Sequence, residues 1–345
     1  MNKKKIGVIF GGCSPEYNVS LESAYSVITN INKEKYDITL IGITKEGDWF
    51  KFEGDLENIK NDNWLQKGKC TKVVISSSKS DKGIIEIENN NTNLIKLDAI
   101  FPVLHGKNGE DGTVQGLIEL SEIPLIGCDI LSSSLCMDKY LSHKLVQSYG
   151  IKVANSILIN GKTKDIDKEI QKLNFPLFVK PVRAGSSFGI TRIENETEIE
   201  QAIKEALKYD TEIIIEENIN GIEIGCAILG NEDLIVGEID EIELSNGFFN
   251  YTEKYTLKTS QIHVPARIDK EIVQKAKETA KQIYKILKCK DFARVDMFLT
   301  PNNEIYFNEI NTIPGFTSHS RYPNMMKQIG MSFEELVDKI ISLEV

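Results

Sequence analysis

FARVDMFLTPNNEIYFNEINTIPGFTSHSR, residues 292–321, reads as two strands joined by a short turn and followed by a polar loop. Side chains alternate faces along a strand. Arg294, Asp296 and Phe298 therefore share one face of the first strand, and Phe307, Glu309 and Asn311 one face of the second. A hairpin turned at Asn302-Asn303, residues that tolerate positive φ, sets Asp296 opposite Glu309 and Arg294 opposite Asn311. Directly opposed carboxylates destabilise a sheet unless something cationic stands between them. Asp, Glu and Asn oxygens suit magnesium, which keeps some waters and shares its shell with phosphate oxygens. The other reading is a solvated hairpin face on which Arg294 neutralises both acids. The donor set favours the metal.

A chain of 345 residues is long enough for two or three domains, each with its own core. With 41% hydrophobic and 27% charged residues, its composition is that of an ordinary globular protein. The net charge of -10 gives no bulk attraction to nucleic acid or to an anionic membrane, so neither is expected as a partner and an anionic ligand needs a local basic cluster. Six scattered cysteines without a CxxC, and only four histidines, argue against a zinc site and for free thiols. The apolar run after the basic N-terminal residues is strand-length. No segment approaches the roughly 18 apolar residues of a membrane span, and a cytoplasmic protein is expected.

Along the chain, residues 5–10 form an apolar run that leads into Gly11-Gly12 and a polar loop. Ser20 is the expected cap of a helix bearing Leu21, Ala24, Ile28 and Ile31, and a second apolar run follows at 38–43. Strand, glycine turn, helix, strand opens a parallel α/β sheet. Residues 52–93 are polar and carry edge strands. A strand at 97–104 ends in the glycine-punctuated loop HGKNGEDG, with His105 either a structural partner or a substrate contact, followed by a helix over 113–120 and a strand over 123–126. A helix over 134–150 carries Lys139 and Lys144. Lys180 then ends an apolar run, and Arg183-Ala-Gly-Ser-Ser-Phe-Gly189 follows. Small residues flanked by glycines let backbone N–H groups approach an oligophosphate. With Lys180 and Arg183 beside it, this loop reads as a phosphate lid. Thr197 and Glu200 suggest a capping box. Residues 213–215 lead into Glu216-Glu217, Ile219 and Glu223, which fit a nucleotide edge or an acidic surface turn. Residues 241–265 fit no regular period, and a loop of that length is usually functional. Asp269 caps a further helix, and one over 333–343 closes the chain. Domain boundaries fall near 130 and 217.

Five motifs in this order, GGCSPEYNVSLESA, HGKNGEDGTVQG, Lys254-Tyr255, ARVDMF and NEINTIPGFTSHS, resemble the D-alanine:D-alanine ligase family of ATP-grasp enzymes over essentially the whole chain. The resemblance implies an ATP-grasp fold of α/β and α+β domains. A Rossmann-like N-terminal domain would span 1–129, a central subdomain 130–217, and a C-terminal subdomain with lid and metal site 218–345.

It also implies roles. Asp296, Glu309 and Asn311 look like ligands of two magnesium ions, for which manganese can substitute. Lys139, Lys180, Ser186, Ser187, Glu216, Glu217, Ile219 and Phe298 resemble ATP contacts, and Glu223 the ribose partner. Glu16 is similar to the anchor for the ammonium of the first D-alanine, with His105, Lys254, Ser320 and Arg321 on the substrate side. Arg294 and the Gly315 N–H look like oxyanion stabilisers. Tyr255, Ser186 and Glu16 would form a hydrogen-bonded group joining lid to floor. The implied reaction phosphorylates the first D-alanine on its carboxylate, and the amine of a second D-amino acid then attacks the acyl phosphate. A homodimer and a place in peptidoglycan precursor synthesis are implied too.

Arg321 stands where ordinary dialanine ligases carry an apolar residue, and resembles the vancomycin-resistance ligases. A hydroxyacid acceptor must lose its hydroxyl proton, which suits an imidazole better than Tyr255. The combination looks most like the VanG type of D-alanine:D-serine ligase. The alternatives are an ordinary dialanine ligase, a nucleotide-binding module without ligase activity, or an ATP-grasp ligase for unrelated substrates. Phe249 and Asn250 also depart from the usual Tyr-Asp, without an evident consequence.

Overall fold

The computed structural model describes residues 3–89, 91–161, 163, 166–244 and 260–345. β1 (Lys4–Gly11), α1 (Tyr17–Asn30) and β2 (Tyr36–Ile43) open the chain, and the two strands pair in parallel, as their order predicts. β3 (Trp49–Glu53), the one-turn helices α2 (Glu57–Lys60) and α3 (Trp64–Lys67), β4 (Lys69–Ile75), β5 (Gly83–Glu88) and β6 (Asn91–Lys96) extend this sheet antiparallel. β7 (Ala99–Pro102) returns parallel to β1 on its other side, giving the order β6-β5-β4-β3-β2-β1-β7, and α4 (Thr113–Leu120) follows the glycine loop. Residues 123–126 are not a strand; only the single bridge from Leu125 to Ile100 forms. Ser20 is not a cap either. It lies one turn inside α1, where its hydroxyl donates to the Val103 carbonyl and accepts the Gly11 N–H at 2.8 Å, fastening helix to sheet.

The single helix expected over 134–150 is two, α5 (Ile130–Met137) and α6 (Lys139–Ser148). Asp138 breaks the run with an extended ψ of 99°, and its carboxylate accepts the Leu141 N–H at 2.9 Å. That N-cap makes Lys139 the first residue of α6. β8 (Lys152–Val153), β9 (Ser156–Ile159), α7 (Ile166–Ile170), β10 (Leu177–Pro181), β11 (Thr191–Ile193), α8 (Ile199–Ala206) and β12 (Ile213–Glu217) follow, with a four-stranded sheet in the order β11-β10-β12-β9. No Thr197–Glu200 capping box forms; Asn195 caps a short 3-10 turn ahead of α8.

β13 (Ile222–Leu229), β14 (Ile235–Leu244), β15 (Ser260–His263), α9 (Lys270–Ile286), β16 (Phe292–Leu299), β17 (Ile305–Asn311), α10 (Arg321–Gln328) and α11 (Phe333–Ile341) complete the chain. Their sheet runs β15-β14-β13-β16-β17-β8. The stretch 241–265 is regular at both ends, where β14 and β15 pair from Glu241 with His263 to Leu244 with Ser260. Phe249, Asn250, Lys254 and Tyr255 lie outside the described residues. Asp269 precedes α9 but its side chain does not cap it.

The β16–β17 hairpin departs from the simple register in one respect. Arg294 faces Asn311 and Asp296 faces Glu309, as predicted, but Met297 faces Phe307. One residue, Asn308, is left over as a β-bulge, which reverses the alternation of β17 on its turn side. Phe307 therefore packs in the core with Val295, Met297 and Ile283 of α9, and not on the face of Glu309. A second core joins α1 and β7 to α10 and α11 through Phe101, Phe292, Phe316 and Tyr322. All six cysteines are free thiols. Among the described residues no helix is long and apolar enough to cross a membrane.

Candidate active site

The polar face of the hairpin is the centre of the site. Asp296, almost wholly buried, accepts from Arg294 through Nε at 2.8 Å and Nη2 at 2.7 Å and from Asn311 Nδ2 at 3.0 Å, with Arg321 Nη1 at 3.3 Å. Arg294 thus does neutralise Asp296, while its Nη1 is not engaged by that carboxylate. Two carboxylates and an amide on one face are hard oxygen donors. Among the described residues no group of three or more His, Cys, Asp or Glu could by itself hold a metal. A two-carboxylate set leaves much of an octahedral shell to waters and phosphate oxygens, which is magnesium's habit in phosphoryl-transfer sites. The residues present fit that ion.

Two cavities meet here, sharing Lys139, Ala184 and Glu309 in their walls. The first, of about 230 Å³, is lined by Glu16, His105, Ser186, Arg294 and Asn311, and on the far side by Gly315, Ser320 and Arg321. The Glu16 carboxylate is threaded between two glycines. A Cβ on Gly106 or Gly185 would sit 2.4 Å or 2.7 Å from Glu16 Oε2, so a larger residue at either place would push that carboxylate aside. Ser186 donates to Glu16, forming one half of the expected lid-to-floor group; the Tyr255 half lies outside the described residues. Ser186 and Ser187 hold φ values of 47° and 60°, in the left-handed region that is costly for residues other than glycine and concentrates at functional loops.

His105 is buried, with Nε2 3.2 Å from Ser23 Oγ, and burial pushes its pKa down to about 4, so it is neutral. Ser23 Oγ also accepts the Phe316 N–H at 3.3 Å, and Glu110 accepts from the N–H groups of Gly106 at 2.8 Å and Ile313 at 3.1 Å. Burial, with Glu16 close by, pushes the Glu110 carboxyl up to about 8. These contacts pin the loop that carries Gly315 against the N-terminal sheet. In that loop Ser320 Oγ accepts the Thr317 N–H at 2.9 Å.

Lys180, Ser187, Glu216 and Glu217 line the second cavity, of about 170 Å³, as do Ile219, Glu223 and Phe298. Lys180 is ion-paired with Glu216. Burial would raise the Glu216 carboxyl, but Lys180 above all, with Lys139, outweighs it and holds it below its usual value. Lys139 Nζ donates to the Ala184 carbonyl at 2.6 Å, at the start of the serine loop. Arg183, read as a phosphate neighbour, instead turns to Asp138, Asp210 and Glu212 and lines neither cavity.

The order of sheets, the serine loop and the carboxylate hairpin between two joined cavities is that of a ligase that grasps a nucleotide, and the comparisons agree. Residues 5–128 match the family model "D-ala D-ala ligase N-terminus" and residues 145–342 the model "D-ala D-ala ligase C-terminus". The chain belongs to the D-Ala-D-Ala ligase family. It is an ATP-dependent ligase of D-amino acids that works in cell-wall precursor synthesis, and ligases of this family use magnesium. The ligase is similar to the solved VanG D-Ala:D-Ser ligase from Enterococcus faecalis, with a TM-score of 0.94 and 56% identity, covering 100% of both chains. It is 46% identical over 344 residues to the vancomycin C-type resistance protein VanC1 of Enterococcus gallinarum, covering 99% of this chain and 98% of that protein. A D-alanine--D-alanine ligase of Caldicellulosiruptor bescii is 43% identical over 352 residues, 100% of this chain and 96% of that protein.

Sequence reasoning missed three side chains in or against this site: Glu110, His143 and Asp240. Glu110 lay inside a glycine-punctuated loop already marked as site-like. Asp240 is one of four acids in β14, IVGEIDEIEL, and nothing local sets it apart from Glu238, Glu241 and Glu243. His143 had no signal either, because its partner is the carbonyl of a bulge.

Proposed function

We propose that this ligase joins D-alanine to D-serine, through a D-alanyl phosphate, in the cytoplasm, and that its product serves vancomycin resistance. Arg321 carries the D-serine choice. It lines the first cavity beside Ser320, where the family resemblance puts an apolar residue in enzymes that add D-alanine. A guanidinium can donate to a hydroxyl that an alkyl side chain would leave unpaired. Similarity to the VanG D-Ala:D-Ser ligase supports the same choice.

In the reaction so read, Glu16 holds the ammonium of the first D-alanine in the first cavity. ATP occupies the second, with Lys180, Ser187, Glu216, Glu217, Ile219 and Phe298 around it and Glu223 toward the ribose. Asp296, Glu309 and Asn311 would hold two magnesium ions, or manganese in their place, which neutralise phosphate charge when bound. A carboxylate oxygen of D-alanine attacks the γ-phosphorus and ADP leaves. Lys139 and Glu309 line both cavities, the place where that group crosses. The second amine then attacks the acyl carbon, phosphate leaves and one amine proton is lost. Arg294 and the Gly315 N–H stabilise the oxyanion, and the exclusion of water is the part assigned to Lys254 and Tyr255, which lie outside the described residues. His105 and Ser320 bound the second-substrate side. The same reading divides the chain at 129/130 and 217/218, giving one sheet to each part except that Lys152–Val153 joins the third sheet, and makes the enzyme a homodimer, which its mass in light scattering would check.

One observation favours an ordinary dialanine ligase: Arg321 already contacts Asp240, Glu223 and Asp296. Competition of D-serine, D-alanine and D-lactate as second substrates, with ATP and D-alanine, decides between them. D-Ala-D-Ser is the expected main product. A dominant D-Ala-D-Ala product that Arg321→Leu leaves unchanged would end the D-serine reading.

A further inference from the structure

The bulge in β17 is the feature on which the hairpin face depends. Without the extra residue Asn308, strand alternation would carry the buried side of β17 through Phe307 to Glu309, turning that carboxylate into the core. Asn308 has no cross-strand partner in β16, and β8 pairs only with Tyr306 and Phe307 on the other side. Its carbonyl is taken by a side chain instead. His143, one turn along α6 from Lys139 and 2% exposed, lies with Nε2 2.6 Å from Asn308 O, and its ring packs edge-on to Phe307 with centroids 5.4 Å apart.

The partner fixes the tautomer. A carbonyl can only accept, so Nε2 carries the proton. Nδ1 is buried with no hydrogen-bond partner among the described residues, so a second proton there would be a stranded donor; burial, with the positive Lys180 and Lys139, outweighs the pull of the Glu216 carboxylate and keeps the ring neutral. A neutral imidazole with a single N–H, aimed at the carbonyl immediately before Glu309, is therefore a fixed pin between the helix of Lys139 and the strand of Glu309.

We propose that His143 is a positioning residue of this ligase: its Nε2–H holds the Asn308 bulge and so keeps Glu309 turned to the metal. This rests on the reading of Glu309 as a magnesium ligand. Groups that fix a metal ligand through a hydrogen bond without touching the metal themselves are worth about 10- to 100-fold in metal affinity.

The test is calorimetric binding of ADP to the full-length protein across a magnesium titration, beside binding of ADP in chelator. His143→Phe keeps the ring against Phe307 but loses the donor, and His143→Asn keeps an amide too short to reach Asn308. His143→Gln places an amide N–H near the position of Nε2. The first two should raise the magnesium half-saturation at least about tenfold, change metal-free ADP binding by much less although His143 lines the nucleotide cavity, and be rescued by His143→Gln. Should His143→Phe fail to fold, the contrast between Asn and Gln still decides. Wild-type magnesium dependence in the Asn and Phe variants, an equal loss in the Gln variant, or a matching loss of metal-free ADP binding overturns the inference. Glu309→Gln separates the two claims: if it leaves the magnesium requirement intact, the metal reading of Glu309 is what fails, whatever His143 does.

Discussion

Arg321 and Asp240 meet as a buried two-pronged ion pair, with Nε 2.7 Å from Oδ2 and Nη2 2.8 Å from Oδ1. Asp240 is fully buried on β14, whereas Arg321 begins α10 directly after the substrate loop. Nη1 of the same guanidinium reaches Glu223 at 2.9 Å and Asp296 at 3.3 Å. One cation thus links the strand that leads into residues 245–259, the proposed ribose carboxylate and the proposed metal carboxylate. Burial alone would favour losing the proton, yet Asp240, Asp296 and Glu223 hold the Arg321 pKa well above its usual value.

Removing Asp240 takes away the acceptor of Arg321 Nε and Nη2 and leaves the buried guanidinium with only its Nη1 contacts to Glu223 and Asp296. Asp240→Ala should destabilise the fold by about 3–5 kcal/mol, measured by urea unfolding. The double variant Asp240→Leu with Arg321→Leu should lose less than the single change at Asp240, because no guanidinium is left facing an apolar strand, while Asp296 keeps Arg294. A loss below about 1 kcal/mol for Asp240→Ala would mean that the pair is screened as surface pairs are.

The same pair can be struck without touching either member. A Cβ on Gly225 would lie 2.4 Å from Arg321 Nη2 and 2.6 Å from Asp240 Oδ1. Gly225→Ala should therefore weaken the pair, cost roughly 1–3 kcal/mol as an overpacked site does, and shift second-substrate preference in the product assay. Preference identical to wild type at reduced stability would show that Arg321 serves the fold alone.

The hairpin shows how much could be read beforehand and where reading stopped. A hairpin turned near Asn303, which does hold a φ of 59°, was legible, but Asp296 meets Glu309 only because the bulge makes up the one residue by which the turn-side pairing, Leu299 with Ile305 and Phe298 with Tyr306, differs from the even register expected. The bulge was not legible, because Asn308 is one polar residue among several and the contact that holds it comes from a helix more than 150 residues earlier. The break at Asp138 was missed for a related reason: Asp is a good cap wherever it falls, and periodicity runs through it unchanged. Arg321 was legible as a departure, but not its three carboxylate partners. Two of these, Asp240 and Glu223, arrive on other strands, and long-range pairing leaves no local pattern.

His105 gives a signed pH dependence. Its pKa falls from 6.5 in the unfolded chain to about 4 in the fold, because burial disfavours the imidazolium, with Arg294 adding to that effect. A depressed pKa contributes stability that is fully present above pH 6.5 and is lost as pH falls toward 4. The shift corresponds to about 3 kcal/mol. The stability gap between wild type and His105→Gln should narrow by that order between pH 7.5 and pH 4 in urea titrations. A gap constant with pH would mean that His105 takes up its proton in the fold as readily as in the unfolded chain.

Asp296→Asn separates the two readings with which the hairpin began. If Asp296 only neutralises Arg294 and Arg321, the amide leaves Arg294 without its carboxylate while Arg321 keeps Asp240 and Glu223, so stability drops while the magnesium requirement stays as it was. As a metal ligand, Asp296 would be replaced by a neutral donor of weaker affinity. Phosphate release dependent on both D-amino acids should then fall by about 100-fold or more, since the metals supply several kcal/mol of charge stabilisation. The magnesium concentration for half-maximal rate should rise with it. An unchanged magnesium dependence together with a folded, slow enzyme would assign Asp296 to holding Arg294 in place and leave Glu309 and Asn311 as the remaining candidates.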